Sequence, residues 1–211
     1  MTRKHHVHIP ATLTLLGAIL YALFTATLAQ ASDREWQLER EKNDIRVYTR
    51  DVANSPYIAV KATTVIRAPV EELRQHLGRG ERCMEWRDMC KSARVVEKVS
   101  EHERYVHMVL DLPWPISDRD MVIHTVTTID PTTRTATVSL DSASDKIPAT
   151  DLIRAETSGS FQLRVLGPEE TEFTYMVQTD LRGDLPAGTV NGRMAASAYN
   201  DLRRLRKLAE R

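Results

Sequence analysis

The feature that most restricts how this chain can fold is a change of hydrophobic period near its end. Between residues 188 and 208 the apolar side chains recur at steps of three and four, at Val190, Met194, Ala195, Ala198, Leu202, Leu205 and Leu208. This spacing predicts an amphipathic helix of about 20 residues and about 30 Å in length. A helix with one apolar stripe is stable only when that stripe is buried against another element, so the preceding residues must supply a partner surface.

The segments before this helix alternate with the two-residue period of β-strands and are rich in β-branched side chains. The predicted strands lie within residues 36–51, 57–68, 93–99, 104–112, 121–129, 134–140, 151–166 and 171–181. A short helix is predicted over residues 68–78, where Pro69 stands at an early helical position. Consecutive antiparallel strands followed by one long helix indicate an α+β fold with the helix lying on a curved sheet.

Three of the predicted strands carry a continuous apolar face. These faces consist of Val106, Met108, Leu110 and Leu112; of Phe161, Leu163 and Val165; and of Phe173, Tyr175, Val177 and Leu181. Such faces can fill a dry core or line a cavity. The pattern alone leaves both alternatives open.

The first 31 residues have the pattern of a secretory signal peptide. Arg3 and Lys4 are followed by an uncharged, mostly apolar run over residues 11–24, and small residues precede two candidate cleavage points, after Ala29 and after Ala31. The alternative is an uncleaved N-terminal anchor. We therefore predict a signal peptide over 1–31 and a single domain over 32–211, in a periplasmic or secreted protein.

The charge of the chain argues against a nucleic-acid partner. The full sequence has 29 basic and 29 acidic residues, and removal of Arg3 and Lys4 leaves 27 − 29 = −2. Proteins that bind nucleic acids depend on basic side chains for phosphate contacts. The mature chain has no such excess.

The two cysteines, Cys83 and Cys90, are seven residues apart in the segment CMEWRDMC. An oxidising compartment favours their pairing. On one continuous helix they would be separated by about 10.5 Å of rise, whereas the Cα atoms of a disulfide lie within about 7 Å. A disulfide therefore requires a loop or a broken helix here, and two independent buried thiols are the alternative.

Residues with catalytic potential do not form a recognisable site. The histidines of the mature chain, His76, His102, His107 and His124, lack the spacing of metal ligands, and no serine or cysteine stands in a nucleophile motif. Pairing of the strands over 104–112 and 121–129 would allow His107 and His124 to be neighbours, and two cross-strand polar residues are the alternative. We predict no catalytic residue, no metal and no cofactor.

The segment PWPISDRDMV at 113–122 resembles a motif of the START (steroidogenic-acute-regulatory-related lipid transfer) domain family, in which a Trp-Pro and an Arg-Asp pair join two central strands. Three further segments agree in order and spacing: APVEELRQHL followed by EWRDMCKSARVVEKV, then IRAETSGSFQLRVL, then YMVQTDLRGDLPAGTVN. The resemblance covers about residues 34–209. One departure is Gly188, which stands where the family usually has a tryptophan at the start of the terminal helix.

The resemblance implies a helix-grip fold, in which a curved antiparallel sheet wraps around the C-terminal helix and a hydrophobic cavity lies between them. It implies a lipid-binding or lipid-transfer protein that holds one hydrophobic ligand. We also predict that the protein is a monomer and that it contacts membranes transiently. The residues expected to line the cavity are Trp86, Met108, Leu110, Arg119, Phe161, Tyr175, Met194 and Ala198. A cyclase-like or hydrolase-like enzyme of the same architecture, and a ligand sensor, remain alternatives.

The proline-rich turn is then expected to be mainly architectural. Pro113 and Pro115 lack backbone donors, so the chain must leave the sheet there, and Trp114 is expected to cover apolar surface. Arg119 and Asp120 are expected to support the turn, with contact to a ligand head group as the alternative. At the helix end, Arg203, Arg204, Arg206 and Lys207 could either contact anionic head groups or complement the helix C-terminus.

Overall fold

The computed structural model describes residues 35–77 and 80–211, so the predicted signal peptide lies outside the described residues. Among these residues there are ten strands and three α-helices, in the order that follows. The elements are β1 (Gln37–Lys42), β2 (Ile45–Arg50), β3 (Ala59–Ile66), α1 (Val70–Leu77), a 3-10 turn (Gly80–Arg82), α2 (Cys83–Trp86), β4 (Cys90–Lys98), β5 (Glu103–Leu110), β6 (Arg119–Asp130), β7 (Thr135–Ser142), β8 (Ile153–Arg154), β9 (Glu156–Gly167), β10 (Glu170–Asp180) and α3 (Ala187–Ala209).

The strands form one sheet in the order β1-β2-β3-β10-β9-β7-β6-β5-β4, with the two-residue β8 pairing with β6 off this path. Every pair along the main path is antiparallel. Both edge strands are irregular, because the register shifts between Leu38 and Arg40 in β1 and twice in β4. The antiparallel sheet with a C-terminal helix confirms the predicted α+β fold.

Helix α3 packs its apolar stripe on β2, β3 and the two shorter helices. Val190, Ala198, Leu202 and Leu205 are buried along that stripe. None of the described helices is both long enough and apolar enough to cross a membrane.

The segment predicted to hold one short strand contains a hairpin instead. Strands β1 and β2 are joined by Asn43 and Asp44, which both have positive φ angles, 51° and 57°. Asn and Asp tolerate this left-handed conformation better than other side chains. The turn also holds α3, because Asn43 Nδ2 donates to Tyr199 Oη at 2.9 Å and the Asn43 carbonyl accepts from Arg206 at 2.7 Å.

Strand β9 carries a glycine that the sheet requires. Gly159 has a φ of 155°, and a Cβ atom there would lie 2.1 Å from the Met176 carbonyl oxygen on the neighbouring strand. No other residue fits so close to β10. Two residues further along β9, the side chain of Phe161 lies on the concave face of the sheet.

Candidate functional site

Two apolar cavities lie on the concave side of the sheet, and the larger of this pair, of about 140 Å³, lies between the sheet and the short helices. Strands β5, β6, β7 and β9 supply most of its wall, because alternate residues of each strand point to the same face. Its apolar lining includes Leu77, Trp86, Val106, Met108, Ile123, Val138, Leu140, Phe161 and Leu163. Towards one end the lining becomes polar, with Arg74, Glu101, His102, Arg104, Thr125 and Thr127.

The smaller cavity, of about 20 Å³, lies under the first half of α3. Its wall is formed mainly by Met89, Leu110, Met121, Tyr175, Val177 and Met194. Arg87, Ile123 and Leu140 line both cavities. The two spaces therefore adjoin along one groove, with these three side chains at the junction.

Six of the eight residues expected to line a ligand cavity do border these spaces. Trp86, Met108 and Phe161 line the larger cavity, and Leu110, Tyr175 and Met194 line the smaller one. Ala198 lines neither cavity, because it is buried in the part of the α3 stripe that packs directly on the sheet and helices. Arg119 also lines neither.

Aromatic rings form a continuous wall at the junction of the two cavities. Phe161 lies at the centre of this wall, with ring centroids 5.9 Å from Trp86, 5.3 Å from Tyr175 and 5.8 Å from Phe173. The disulfide between Cys83 and Cys90, which confirms the predicted pair, holds the segment that carries Trp86. Its Cα atoms are 6.0 Å apart, because α2 ends after one turn and Cys90 begins β4.

A charged cluster next to this wall was not predicted from the sequence. Arg87 lies beside the rings of Trp86 and Tyr175, 5.5 Å from each centroid, and donates a hydrogen bond to Tyr175 Oη at 2.9 Å. Its Nε atom is 3.8 Å from a carboxylate oxygen of Asp201 on α3. Burial raises the pKa of Tyr175 to about 12, so this phenol is protonated and neutral.

Asp201 joins the loop after α2 to the terminal helix. It is only 2% exposed, and its carboxylate accepts a hydrogen bond from the backbone N–H of Asp88 at 2.6 Å. Burial raises the pKa of Asp201 to about 6, although Arg87 and the Asp88 N–H act in the opposite direction. Asp88 in turn pairs with Arg204 at 2.8 Å.

Comparison with known proteins identifies the architecture around these cavities. A family model described as "START domain" matches residues 21–211. The chain belongs to the START domain family. This confirms the resemblance found in the sequence.

Relatives and solved structures agree with this assignment. A protein of Pseudomonas aeruginosa described as uncharacterized is 27% identical over 201 residues, which are 94% of this chain and 96% of that protein. The STAR-related lipid transfer protein of Xanthomonas axonopodis has a TM-score of 0.76 and 22% identity over 83% of this chain and 99% of that one. Human StAR-related lipid transfer protein 5 has a TM-score of 0.75 and 17% identity over 93% and 97% of the two chains. At these identities the structures show a shared fold.

In this START domain the Arg-Asp pair of the proline-rich turn has architectural contacts. Arg119 is buried and donates hydrogen bonds to the backbone carbonyls of Leu181, at 2.8 Å, and Ser117, at 2.6 Å. The bond to Leu181 ties β6 to the loop before α3. Asp120 is fully buried, and its carboxylate accepts a hydrogen bond from the Arg154 guanidinium at 2.8 Å. The Nε2 atom of His107 lies 3.0 Å from the same carboxylate. These contacts favour the supporting role over contact with a head group.

The electrostatics of Asp120 follow from these partners. Burial alone would raise the pKa of its carboxyl, but hydrogen bonds from Arg154, His107 and Thr150 outweigh burial and lower the pKa below its ordinary value. The carboxylate is therefore held in its charged form inside the protein. It balances the charge of Arg154.

The expectation that Trp114 covers apolar surface is wrong. Its side chain is 92% exposed, although β5 does end before Pro113 and β6 begins only at Arg119. The two prolines and the short loop hold the indole away from the body of the START domain. The prolines end the strand as predicted, and Trp114 adds no packing.

The histidines on β5 and β6 lie outside both cavities of the START domain. His107 and His124 occupy the opposite sheet face from Met108 and Ile123, and the pairing places His124 beside Tyr105 rather than beside His107. Each histidine has its own acidic partner, Asp120 for His107 and Glu103 for His124. Neither imidazole can reach a molecule in the groove.

Two further sequence expectations concern the ends of α3. At Gly188, where the family usually has a tryptophan, an added Cβ would meet no atom within 4 Å, so the space beside it is open. At the other end, Arg204 pairs with Asp88 and Arg206 binds the Asn43 carbonyl. Arg203 and Lys207 are exposed beside them.

Proposed function

We propose that this START domain binds one hydrophobic ligand in the groove formed by its two cavities and carries it between membranes. The observation that supports the proposal is the adjoining pair of apolar cavities under α3 and the short helices. Each methylene removed from water contributes about 0.8 kcal/mol. A ligand with an acyl chain or a fused ring system therefore gains several kcal/mol from this lining.

Binding of a whole lipid requires that the groove widen. A cavity of about 140 Å³ matches the size that accepts a benzene-sized group, whereas sites for drug-sized ligands span about 300–1,000 Å³. The moving parts in the proposal are the first half of α3 and the loop before it, where Gly183 has a φ of 78° and Gly192 is exposed. The second half of α3 stays fixed through Asp88 and Asn43.

The proposal includes export and membrane contact. The signal peptide over residues 1–31 would deliver the domain to the periplasm or outside the cell, although the family match begins at residue 21, inside that segment. The disulfide is compatible with an oxidising compartment. The exposed cations Arg203, Lys207 and Arg211 near the end of α3 would contact anionic head groups, and the protein would act as a monomer.

The test is binding of the neutral fluorescent probe N-phenyl-1-naphthylamine to delipidated protein, together with mass spectrometry of organic extracts from protein purified from its native compartment. Saturable probe binding and a co-purified hydrophobic molecule are the expected results. No probe binding and no co-purified molecule would contradict the proposal.

A pair of matched variants locates the binding space. Ala136 on β7 lines the larger cavity, whereas Ala198 is buried in the packed stripe of α3. Ala136→Phe should fill the cavity, abolish probe binding and leave the thermal midpoint almost unchanged. Ala198→Phe should lower the stability by about 1–3 kcal/mol or more, because insertion into a packed core forces strain.

A further inference from the structure

Arg87 is the charged side chain at the junction of the groove. It lines both cavities, and its side chain is 17% exposed. The rings of Trp86 and Tyr175 lie beside the guanidinium, and the apolar walls of the two cavities extend on either side of it. A molecule that occupies both cavities must therefore pass this group.

The guanidinium of Arg87 uses few of its hydrogen-bond donors. An arginine side chain has five N–H groups, and among the residues that the structure describes the only hydrogen bond from this side chain is the one to Tyr175. The Asp201 carboxylate is 3.8 Å from Nε, too far for a hydrogen bond. The buried Arg154 elsewhere in the domain differs, since its donors bind Asp120 and the carbonyls of Ser144, Ile147 and Pro148.

The cluster around Arg87 also carries an excess of one positive charge. Three arginines, Arg87, Arg193 and Arg204, surround two carboxylates, Asp88 and Asp201, so the sum is 3 − 2 = +1. Arg193 and Arg204 are partly exposed and screened by water, whereas Arg87 lies inside. A buried cation is most stable when a hydrogen-bonded anion balances it.

We propose that Arg87 binds the head group of the ligand, and that the ligand is an amphiphile with a single anionic oxygen head group, a carboxylate. The proposal rests on the ligand-binding function proposed above. A carboxylate accepts two parallel N–H bonds from a guanidinium, and one negative charge completes the balance of the cluster. The apolar chain then lies against Val106, Met108 and Val138 in the larger cavity.

The experiment compares three ligands that share one chain: dodecanoate, dodecyl phosphate and dodecan-1-ol. Each displaces N-phenyl-1-naphthylamine from delipidated protein, at a pH where the carboxylic acid is ionised. Because a hydrogen bond to a charged group is stronger than one to a neutral group, we expect the wild type to bind dodecanoate roughly tenfold to a hundredfold more tightly than dodecan-1-ol. We expect dodecyl phosphate, with its second charge, to bind less tightly than dodecanoate, and tighter binding of the phosphate would overturn the carboxylate assignment.

The variants test whether Arg87 causes this preference. In Arg87→Gln, dodecanoate should lose its advantage and bind no more tightly than dodecan-1-ol. This substitution leaves the buried Asp201 without its charged partner and could prevent folding. The double variant Arg87→Gln/Asp201→Asn removes both charges and replaces the single variant in that case. Arg164→Gln, on the exposed face of β9, is the control and should keep the wild-type preference.

The outcomes separate this proposal from the proposed function. Two outcomes would overturn the role of Arg87 and leave the carrier function standing. In the first, the wild type binds the probe but does not prefer dodecanoate to dodecan-1-ol. In the second, the preference persists in the double variant. Loss of the preference in Arg74→Gln instead would place the head group at the polar end of the larger cavity. Failure of the wild type to bind the neutral probe would overturn the carrier function, and the role of Arg87 with it.

Discussion

Two turns of this START domain contain the same three kinds of side chain and use them in opposite ways. The disulfide-closed segment has Trp86, Arg87 and Asp88, and the proline-rich turn has Trp114, Arg119 and Asp120. In the first, the tryptophan is 3% exposed and the arginine keeps donors free beside a cavity. In the second, the tryptophan is 92% exposed and the arginine binds backbone carbonyls.

The contrast shows that a conspicuous motif need not lie at the cavities of the fold. The proline-rich turn carries part of the family resemblance, and its hydrogen bonds tie β6 to the loop before α3. The less conspicuous segment after α2 faces the groove. The difference lies in whether the polar donors are already bound, which only the three-dimensional contacts reveal.

The largest effect expected from this contrast is that of Trp86→Ala. Removal of a buried tryptophan costs about 3–5 kcal/mol, and the loss of one wall of the cavity should also weaken binding of the probe. Urea unfolding monitored by far-ultraviolet circular dichroism, with probe titration on the folded variant, measures both effects. A loss of less than about 1 kcal/mol would contradict the packed position of Trp86.

The two buried aspartates should respond to pH with opposite signs. The folded pKa of Asp201, about 6, is above its ordinary value of 3.8, so the folded state binds a proton that the unfolded state does not. Asp201 therefore adds stability as the pH falls from about 7 to about 4, by about 3 kcal/mol in total. Asp120 has a lowered pKa in the folded state. It therefore stabilises the fold at pH values above its pKa in the unfolded chain, and this stabilisation is lost as the pH falls through its pKa in the folded protein.

The measurement for this pair is urea unfolding of the wild type and of Asp201→Asn at several pH values in that range. The stability of the variant relative to the wild type should decline as the pH falls, because only the wild type gains from protonation of Asp201. A constant difference would show that residue 201 does not titrate in this range.

The disulfide should contribute about 2–3 kcal/mol, the value that the chain-entropy model gives for so short a loop. The variant Cys83→Ser/Cys90→Ser should lose that much stability, and binding of dodecanoate should weaken because Trp86 and Arg87 are less firmly held. Thiol titration of the denatured, non-reduced wild type should find no free thiol. Detection of two free thiols would show that the purified protein lacks the disulfide.

The smallest effect expected is that of Trp114→Ala. An exposed side chain away from hydrogen-bond networks usually changes stability by less than about 0.5 kcal/mol, and the fluorescence of this indole should be quenched freely by acrylamide. A loss comparable to that of Trp86→Ala would show that the proline-rich turn packs on the protein through its tryptophan.

Most of the fold could be predicted from the sequence, because the strands alternate clearly and α3 has an uninterrupted stripe. The β1–β2 hairpin was missed, since its turn is Asn43-Asp44 without glycine and β1 has no buried side chain to mark an inner face. The family resemblance supplied the curvature of the sheet and the presence of a cavity, which periodicity alone did not distinguish from a dry core.

The cavity lining could be predicted only in part. Strand alternation groups Met108 with Leu110, and these residues, with Phe161 and Tyr175, border the two cavities. A small residue on a helix stripe can face either a space or a neighbouring side chain, so the sequence does not show that Met194 borders a cavity and Ala198 does not. Nothing in the sequence EWRDM distinguishes a buried arginine from an exposed one, so the burial of Arg87 beside the cavities could be recognised only in the structure.

The irregular edge strands of the sheet have a consequence for aggregation. Strand β1 ends in Glu39-Arg40-Glu41-Lys42, and β4 carries Lys91, Arg94, Glu97 and Lys98. Charged side chains and breaks in register both prevent an exposed strand from pairing with another chain. If α3 moves to admit a ligand as proposed, the two edges of the described sheet would remain poor templates for intermolecular β-structure while the concave face is open to solvent. In the proposed carrier, these edges would limit fibril formation during ligand exchange.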